Sequence, residues 1–160
     1  MNDCDALLRR VMAQAAAQGI PFSRQTDPHV AVNDRAVSRF GCCKYREGRY
    51  TIEVARRVAQ GPERSCLETL AHELLHTCRG CRDHGKRWKE YAGRMNRAYG
   101  YRIARTSTGE ALGVEEAREP RYLLRCASCG REFKRYRASP LTQHPERYRC
   151  RCGGALVRVK

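Results

Sequence analysis

The amino-acid sequence predicts an α+β fold: helices with a short antiparallel β-hairpin or sheet, followed by a small C-terminal module of strands stapled by metal. Three observations carry this expectation. Apolar residues recur at helical spacing in three stretches, strand-like texture replaces it between Ala36 and Val58, and a basic tail ends in a CxxC and a CxC. A chain of 160 residues can bury one modest core and a small metal-held appendage, but not two full domains.

The first helix is expected from Asp5 to Gln18, where Leu7, Leu8, Val11, Met12 and Ala15 fall on one face before Gly19, Ile20 and Pro21 interrupt the pattern. Two short stretches follow, Val37 to Tyr45 and Arg49 to Val54. They are separated by Arg46, Glu47 and Gly48, and read as a β-hairpin. Gly61 and Pro62 break the chain again. Ser65, with Glu68 three residues later, has the form of a capping box opening a helix that carries Leu67, Leu70, Ala71, Leu74 and Leu75. Another helix is expected from Lys86 to about Tyr99, with Trp88, Tyr91, Ala92 and Met95 at spacings of three and four and Gly100 as its stop. Thr106 to Pro120, rich in Ser, Thr, Gly and Glu, reads as a linker. One domain is therefore expected at 1–118 and a basic module at 119–160.

The second of these helices carries His72-Glu73-Leu74-Leu75-His76, an HExxH motif. At 3.6 residues per turn both imidazoles project from one face and can bind one zinc ion, and Glu73 reaches a water in the open coordination position. Zinc lowers the pKa of such a water toward about 7, and Glu73 is placed to take its proton as it attacks a carbonyl. The bland reading of a bare HExxH is two histidines and a glutamate on a solvated face. The apolar residues around the motif argue against it.

A catalytic zinc usually has three protein ligands. His29 lies upstream of the hairpin and His144 in the tail, whereas His84 follows a short polar loop after the motif and lets the chain turn back over the metal. His84 is the expected third ligand, although the spacing is not that of the metzincins. Cys78 and Cys81 in the same loop could compete for the ion and close the site. Trp88, one helical turn after His84, is either core or a wall of the metal pocket.

These residues resemble the SprT-like family, zinc metalloproteases that include the eukaryotic Spartan proteases acting on proteins crosslinked to DNA. The resemblance rests on Arg39-Phe40-Gly41-Cys42 before the strand ending Tyr50-Thr51-Ile52-Glu53-Val54, on Leu67 through His76, and on His84-Gly85-Lys86-Arg87-Trp88. It implies a small zincin-like protease domain with His72, His76 and His84 as zinc ligands, Glu73 as base, and a C-terminal zinc ribbon. Two departures stand out: the tail ends in CxC rather than a second CxxC, and Cys78 and Cys81 are additions to the family pattern.

In the tail, Cys126 and Cys129 form a zinc knuckle, and Cys150 and Cys152 supply two more thiolates at close to the usual ribbon interval. Two zinc ions are thus expected, one catalytic and one structural, with His144 as a substitute for Cys150 or Cys152 if CxC proves too tight. The tail's many arginines are interleaved with Tyr122, Phe133, Tyr136 and Tyr148 and opposed by only Glu119, Glu132 and Glu146. Phe133 and Tyr148 are expected in the core; Tyr122 and Tyr136 could instead stack on bases.

The charge of +15, from 32 Lys and Arg against 17 acids, favours a polyanion partner, and aromatics among basic residues suit single-stranded or irregular DNA. A merely solvated basic surface is the alternative. No apolar run approaches the ~18 residues of a membrane span, and the N-terminus has no basic start followed by an apolar block. A soluble monomer is expected in the cytoplasm, nucleoid-associated in a bacterium, with its ten cysteines as ligands or buried thiols. The leading expectation is a DNA-associated zinc endopeptidase cleaving proteins bound or crosslinked to DNA. The alternatives are a nucleic-acid-binding zinc protein with a non-catalytic HExxH, and a general intracellular metallopeptidase.

Overall fold

A computed structural model describes all residues, Met1–Lys160. The chain forms two compact units, Met1–Ala117 and Arg118–Lys160, and no helix is long and apolar enough to cross a membrane.

The first unit opens with α1, Cys4–Ala17, capped by Asp3, whose carboxylate accepts from the Ala6 N–H at 3.0 Å. Three strands follow: β1 (Thr26–Asn33), β2 (Gly41–Arg46) and β3 (Arg49–Ala55). The hairpin expected from the sequence is present, with β2 beginning at Gly41 rather than Val37. Its two-residue turn places Glu47 at φ 49° and Gly48 at φ 77°, the twist that suits a tight antiparallel connection. Strand β1 is the element the sequence did not reveal. Pro28 breaks its β-pattern, because proline cannot donate to a ladder; the fold accommodates it on an edge, with β1 parallel to β3 and the register shifting between Thr26 and Val30. The sheet order is β1-β3-β2, leaving the outer side of β2 unpaired.

After a short α2 (Arg56–Ala59), helix α3 spans Glu63–Leu75. It packs against α1, β2 and β3. Ten of its residues are buried, which is why its apolar pattern is broad rather than confined to one stripe. Its start differs from expectation: Pro62 precedes the first turn, no side chain caps it, and Ser65 lies inside the helix. The Ser65 hydroxyl instead donates to the Leu112 carbonyl at 2.6 Å, while Glu68 accepts from the Arg102 N–H at 3.0 Å and pairs with Arg64. Both polar groups thus leave their own helix end to satisfy the 102–112 segment. Accordingly Thr106 to Pro120 is not a free linker, since it contains α5 (Gly109–Leu112) with Leu112 buried. Helix α4, Lys86–Tyr99, ends at Gly100 as read.

The second unit is built on β4 (Tyr122–Cys126), β5 (Glu132–Arg135) and β6 (Leu156–Arg158), which form a three-stranded antiparallel sheet in the order β5-β4-β6. A one-turn α6 (Pro140–Gln143) is closed by a capping box between Ser139 and Thr142. Its small cluster joins Cys126, Cys150 and Leu156, with Phe133 and Leu141 against them. Phe133 meets the expectation of a core role. Tyr148 does not: it is 39 % exposed and takes no part in that cluster.

Candidate metal centres

The two histidines of the motif sit at the C-terminal end of α3, one helical turn apart, and the loop Thr77–Gly85 returns the third. Gly80 at φ 77° lets that loop reverse, and Asp83 fixes its exit by accepting from the Gly85 N–H at 3.1 Å. The ligand nitrogens of His72, His76 and His84 lie within 4.8 Å of one another, and His72 Nε2 and His84 Nε2 approach to 3.0 Å. Tetrahedral zinc with Zn–N near 2.0–2.1 Å separates its nitrogens by roughly 3.3 Å, so the spacing fits.

The proton positions also follow from the contacts. His72 Nδ1 meets the Ala104 carbonyl at 3.0 Å and His76 Nδ1 meets the Cys81 carbonyl at 2.8 Å. A carbonyl only accepts, so both Nδ1 atoms carry the hydrogen and both Nε2 lone pairs are free for a metal. Burial, and then the neighbouring His76 and His84, hold the His72 imidazole down at about 4. Burial is likewise the main reason that His84 sits below its ordinary value, with the charge of Arg105 among the contributors. Neutral imidazoles are the form that binds metal.

Trp88 is 1 % exposed, and its ring lies 4.8, 5.8 and 4.7 Å from those of His72, His76 and His84. Trp88 is thus a core residue, packed against the three imidazoles from inside the fold. Cys78 and Cys81 are buried beside the site, outside the cluster of ligand atoms. Burial pushes the Cys78 thiol up to about 12, so it keeps its proton. Cys81 serves through its backbone carbonyl, a contribution no side-chain pattern could announce.

Glu73 is 7 % exposed. Burial raises its carboxyl to about 7, against the opposing pull of the Cys43 backbone N–H and of Arg39. It lies where two pockets meet at Gly41, His72 and Glu73. One, of about 160 Å³, is bounded by Phe40, Leu112 and the Arg102–Arg105 segment. The other, of about 800 Å³, is bounded by Cys42, Cys43, Tyr45, Tyr50, Arg79, Arg82 and His84. The role of Gly41 was not foreseen, although the residue lies in the Arg39–Cys42 motif: a Cβ there would stand 2.8 Å from Glu73 Oε1.

In the second unit Cys126, Cys129, Cys150 and Cys152 converge. Cys126 Sγ lies 3.5 Å from Cys152 Sγ, and Cys129 Sγ 3.6 Å from Cys150 Sγ. These separations exceed the roughly 2 Å of a disulfide and match the ~3.8 Å expected of tetrahedral thiolates at 2.3 Å from zinc. The Cys129 and Ser128 N–H groups both donate to Cys126 Sγ, holding that thiol down at about 6. Four sulfurs are a closed donor set. His144 lies outside the cluster, paired with Glu146 at 3.3 Å, so CxC is not too tight for four sulfurs to meet. Tyr122 and Tyr136 carry guanidinium groups on their faces, Arg158 at 4.9 Å and Arg118 at 4.5 Å. His29 is paired with Asp5 on the surface.

Among known proteins, the model of the SprT-like family matches residues 8–108, a span that takes in the three histidines, Glu73 and the β2–β3 hairpin. No curated protein matches the chain.

Proposed function

The chain belongs to the SprT-like family, and from that premise we propose that it is a zinc endopeptidase that cleaves proteins bound or crosslinked to DNA. The observation that carries the enzymatic part is the convergence of three imidazoles beside a buried carboxylate in an open cleft. A purely structural site has no use for Glu73, whose burial opposes its ionisation.

His72, His76 and His84 would hold the catalytic zinc, and the four cysteines the structural one in a zinc ribbon. The catalytic ion supplies Lewis acidity that polarises a carbonyl and acidifies water. Glu73 accepts the proton of the attacking water as its oxygen bonds to the peptide carbon. It then gives that proton to the departing amine nitrogen as the C–N bond breaks. Arg39 and the Cys43 N–H favour the ionised carboxylate that begins this cycle. The unpaired side of β2 passes alongside, and an extended peptide pairing with it would run toward Glu73.

The DNA part is supported by the +15 charge and by the sequence of the second unit, where arginines and lysines are interspersed among the four cysteines with only Glu119, Glu132 and Glu146 against them. The deciding experiment compares wild type with Glu73→Gln on a DNA-binding protein, with single-stranded DNA, double-stranded DNA or none. Cleavage stimulated by DNA and lost in Glu73→Gln is expected. Equal inertness of both proteins under all three conditions would leave a nucleic-acid-binding zinc protein, and cleavage indifferent to DNA would leave a general peptidase.

A further inference from the structure

We propose that the tip of the β2–β3 hairpin and the loop after α3 form a binding site for single-stranded DNA on the catalytic unit itself, apart from the basic C-terminal unit. The choice of DNA rests on the function proposed above.

Tyr45 and Tyr50 face each other directly in the β2–β3 register, with ring centroids 4.8 Å apart and planes tilted by 49°. Alternation along β2 puts Tyr45 on the same face as Gly41, the residue that touches Glu73. Both tyrosines line the larger pocket, which also contains the three histidines. Yet Tyr45 is 62 % exposed, so its ring fills no core. Arg79 and Arg82, on the loop between His76 and His84, line the same pocket. Neither guanidinium has an ion-pair or hydrogen-bond partner in the fold, and the same holds for Arg46 at the end of β2. The only acid among the lining residues is the buried Glu73.

Cross-strand packing explains why the two tyrosines touch, but not why unpaired arginines line the same cleft on a loop anchored by His76 and His84. Three occupants can be compared. An acidic peptide would satisfy the arginines and leave an exposed ring without purpose. An apolar peptide would use the ring and leave the guanidinium groups desolvated without partners. Single-stranded DNA uses both, since any base can stack on a tyrosine while its phosphates meet arginines. A strand held there enters the pocket that contains Glu73, so protein attached to it is delivered to the site of cleavage.

The test uses the full-length, zinc-loaded chain in the Glu73→Gln form, which reads binding without turnover. Photocrosslinking to oligo-dT carrying 5-iodouracil, followed by peptide mass spectrometry, should mark Tyr45 or Tyr50. Anisotropy titrations should show Tyr45→Ala weakening oligo-dT binding about tenfold and Tyr45→Phe nearly sparing it. Arg79→Gln with Arg82→Gln should reduce the salt slope by about 1.4. Unchanged zinc content and near-ultraviolet circular dichroism verify that the variants are folded.

Crosslinks confined to residues 118–160 together with unchanged affinity in Tyr45→Ala would overturn the site. So would a Tyr45→Ala protein, with Glu73 restored, that binds oligo-dT normally but shows a raised KM for a DNA-free peptide, since the surface would then be a peptide subsite. Tighter binding of matched oligo-U would overturn the assignment to DNA. Crosslinking at Tyr45 with no protein cleavage by wild type would uphold this site while refuting the protease reading.

Discussion

The Glu73 carboxylate rests against the backbone of Gly41: a Cβ at that position would lie 2.8 Å from Glu73 Oε1 and 2.9 Å from Thr69 Cγ2. Real Cβ atoms do not tolerate such contacts, so side chain or strand must move. The absence of a side chain at Gly41 therefore fixes how closely β2 and α3 approach. It also keeps the Cys43 N–H near the carboxylate it helps to ionise.

Gly41→Ala should accordingly impair catalysis more than folding. A displaced base loses on the order of a hundredfold in turnover, whereas overpacking one methyl costs about 1–3 kcal/mol. Kinetics on a protein substrate alongside thermal unfolding distinguish the two. A variant with wild-type kcat would show that the contact does not position Glu73.

The Glu73 carboxyl, raised from 4.5 to about 7, makes a signed prediction for the metal-free protein. Between those values the folded state holds a proton that the unfolded state has lost, so stability falls as pH rises through this window and is level above it. Glu73→Gln removes that penalty, and relative to wild type it should gain about 2.5 kcal/mol between pH 5 and pH 8. His72, held at about 4, acts in the opposite sense: its stability is lost as pH falls from about 6.5 toward 4. That contribution cancels in the comparison. Chemical denaturation of chelator-treated proteins at several pH values would measure the difference, and parallel curves would refute it.

Metal content should divide by unit. Wild type is expected to hold one zinc at each of the two clusters. Cys126→Ser should lose one and unfold the second unit, whose apolar cluster is too small to hold it. His84→Ala should release the other, and His144→Ala neither. Elemental analysis of purified variants checks this; loss of zinc in His144→Ala would place that residue among the ligands after all.

Trp88 is the only tryptophan and touches all three imidazoles. Its fluorescence should therefore report the histidine site alone. Zinc added to apoprotein should change the emission in wild type and in Cys126→Ser, but not in His72→Ala. Trp88→Ala should cost about 3–5 kcal/mol as a large buried ring is lost. Trp88→Phe should cost less, because the indole N–H is buried without a partner.

Local chemistry made much of this protein legible in its sequence. The 3.6-residue period places His72, Glu73 and His76 on one helix, and turn and cap residues bound α1, the β2–β3 hairpin and α4 within a few positions. The cysteine pairs mark the second unit. These features depend on residues near one another in the chain, where spacing and geometry are nearly the same thing. Tertiary structure decided what spacing could not. It placed Pro28 on an edge so that β1 could pair in parallel with β3, and drew Ser65 and Glu68 away from capping to hold the 102–112 segment. The Ala104 and Cys81 carbonyls became the groups that orient His72 and His76. Backbone groups are the same at every residue, and burial is a property of the assembled core. Only the folded chain could therefore show which carbonyl meets which imidazole, and why Glu73 is held at the edge of ionisation.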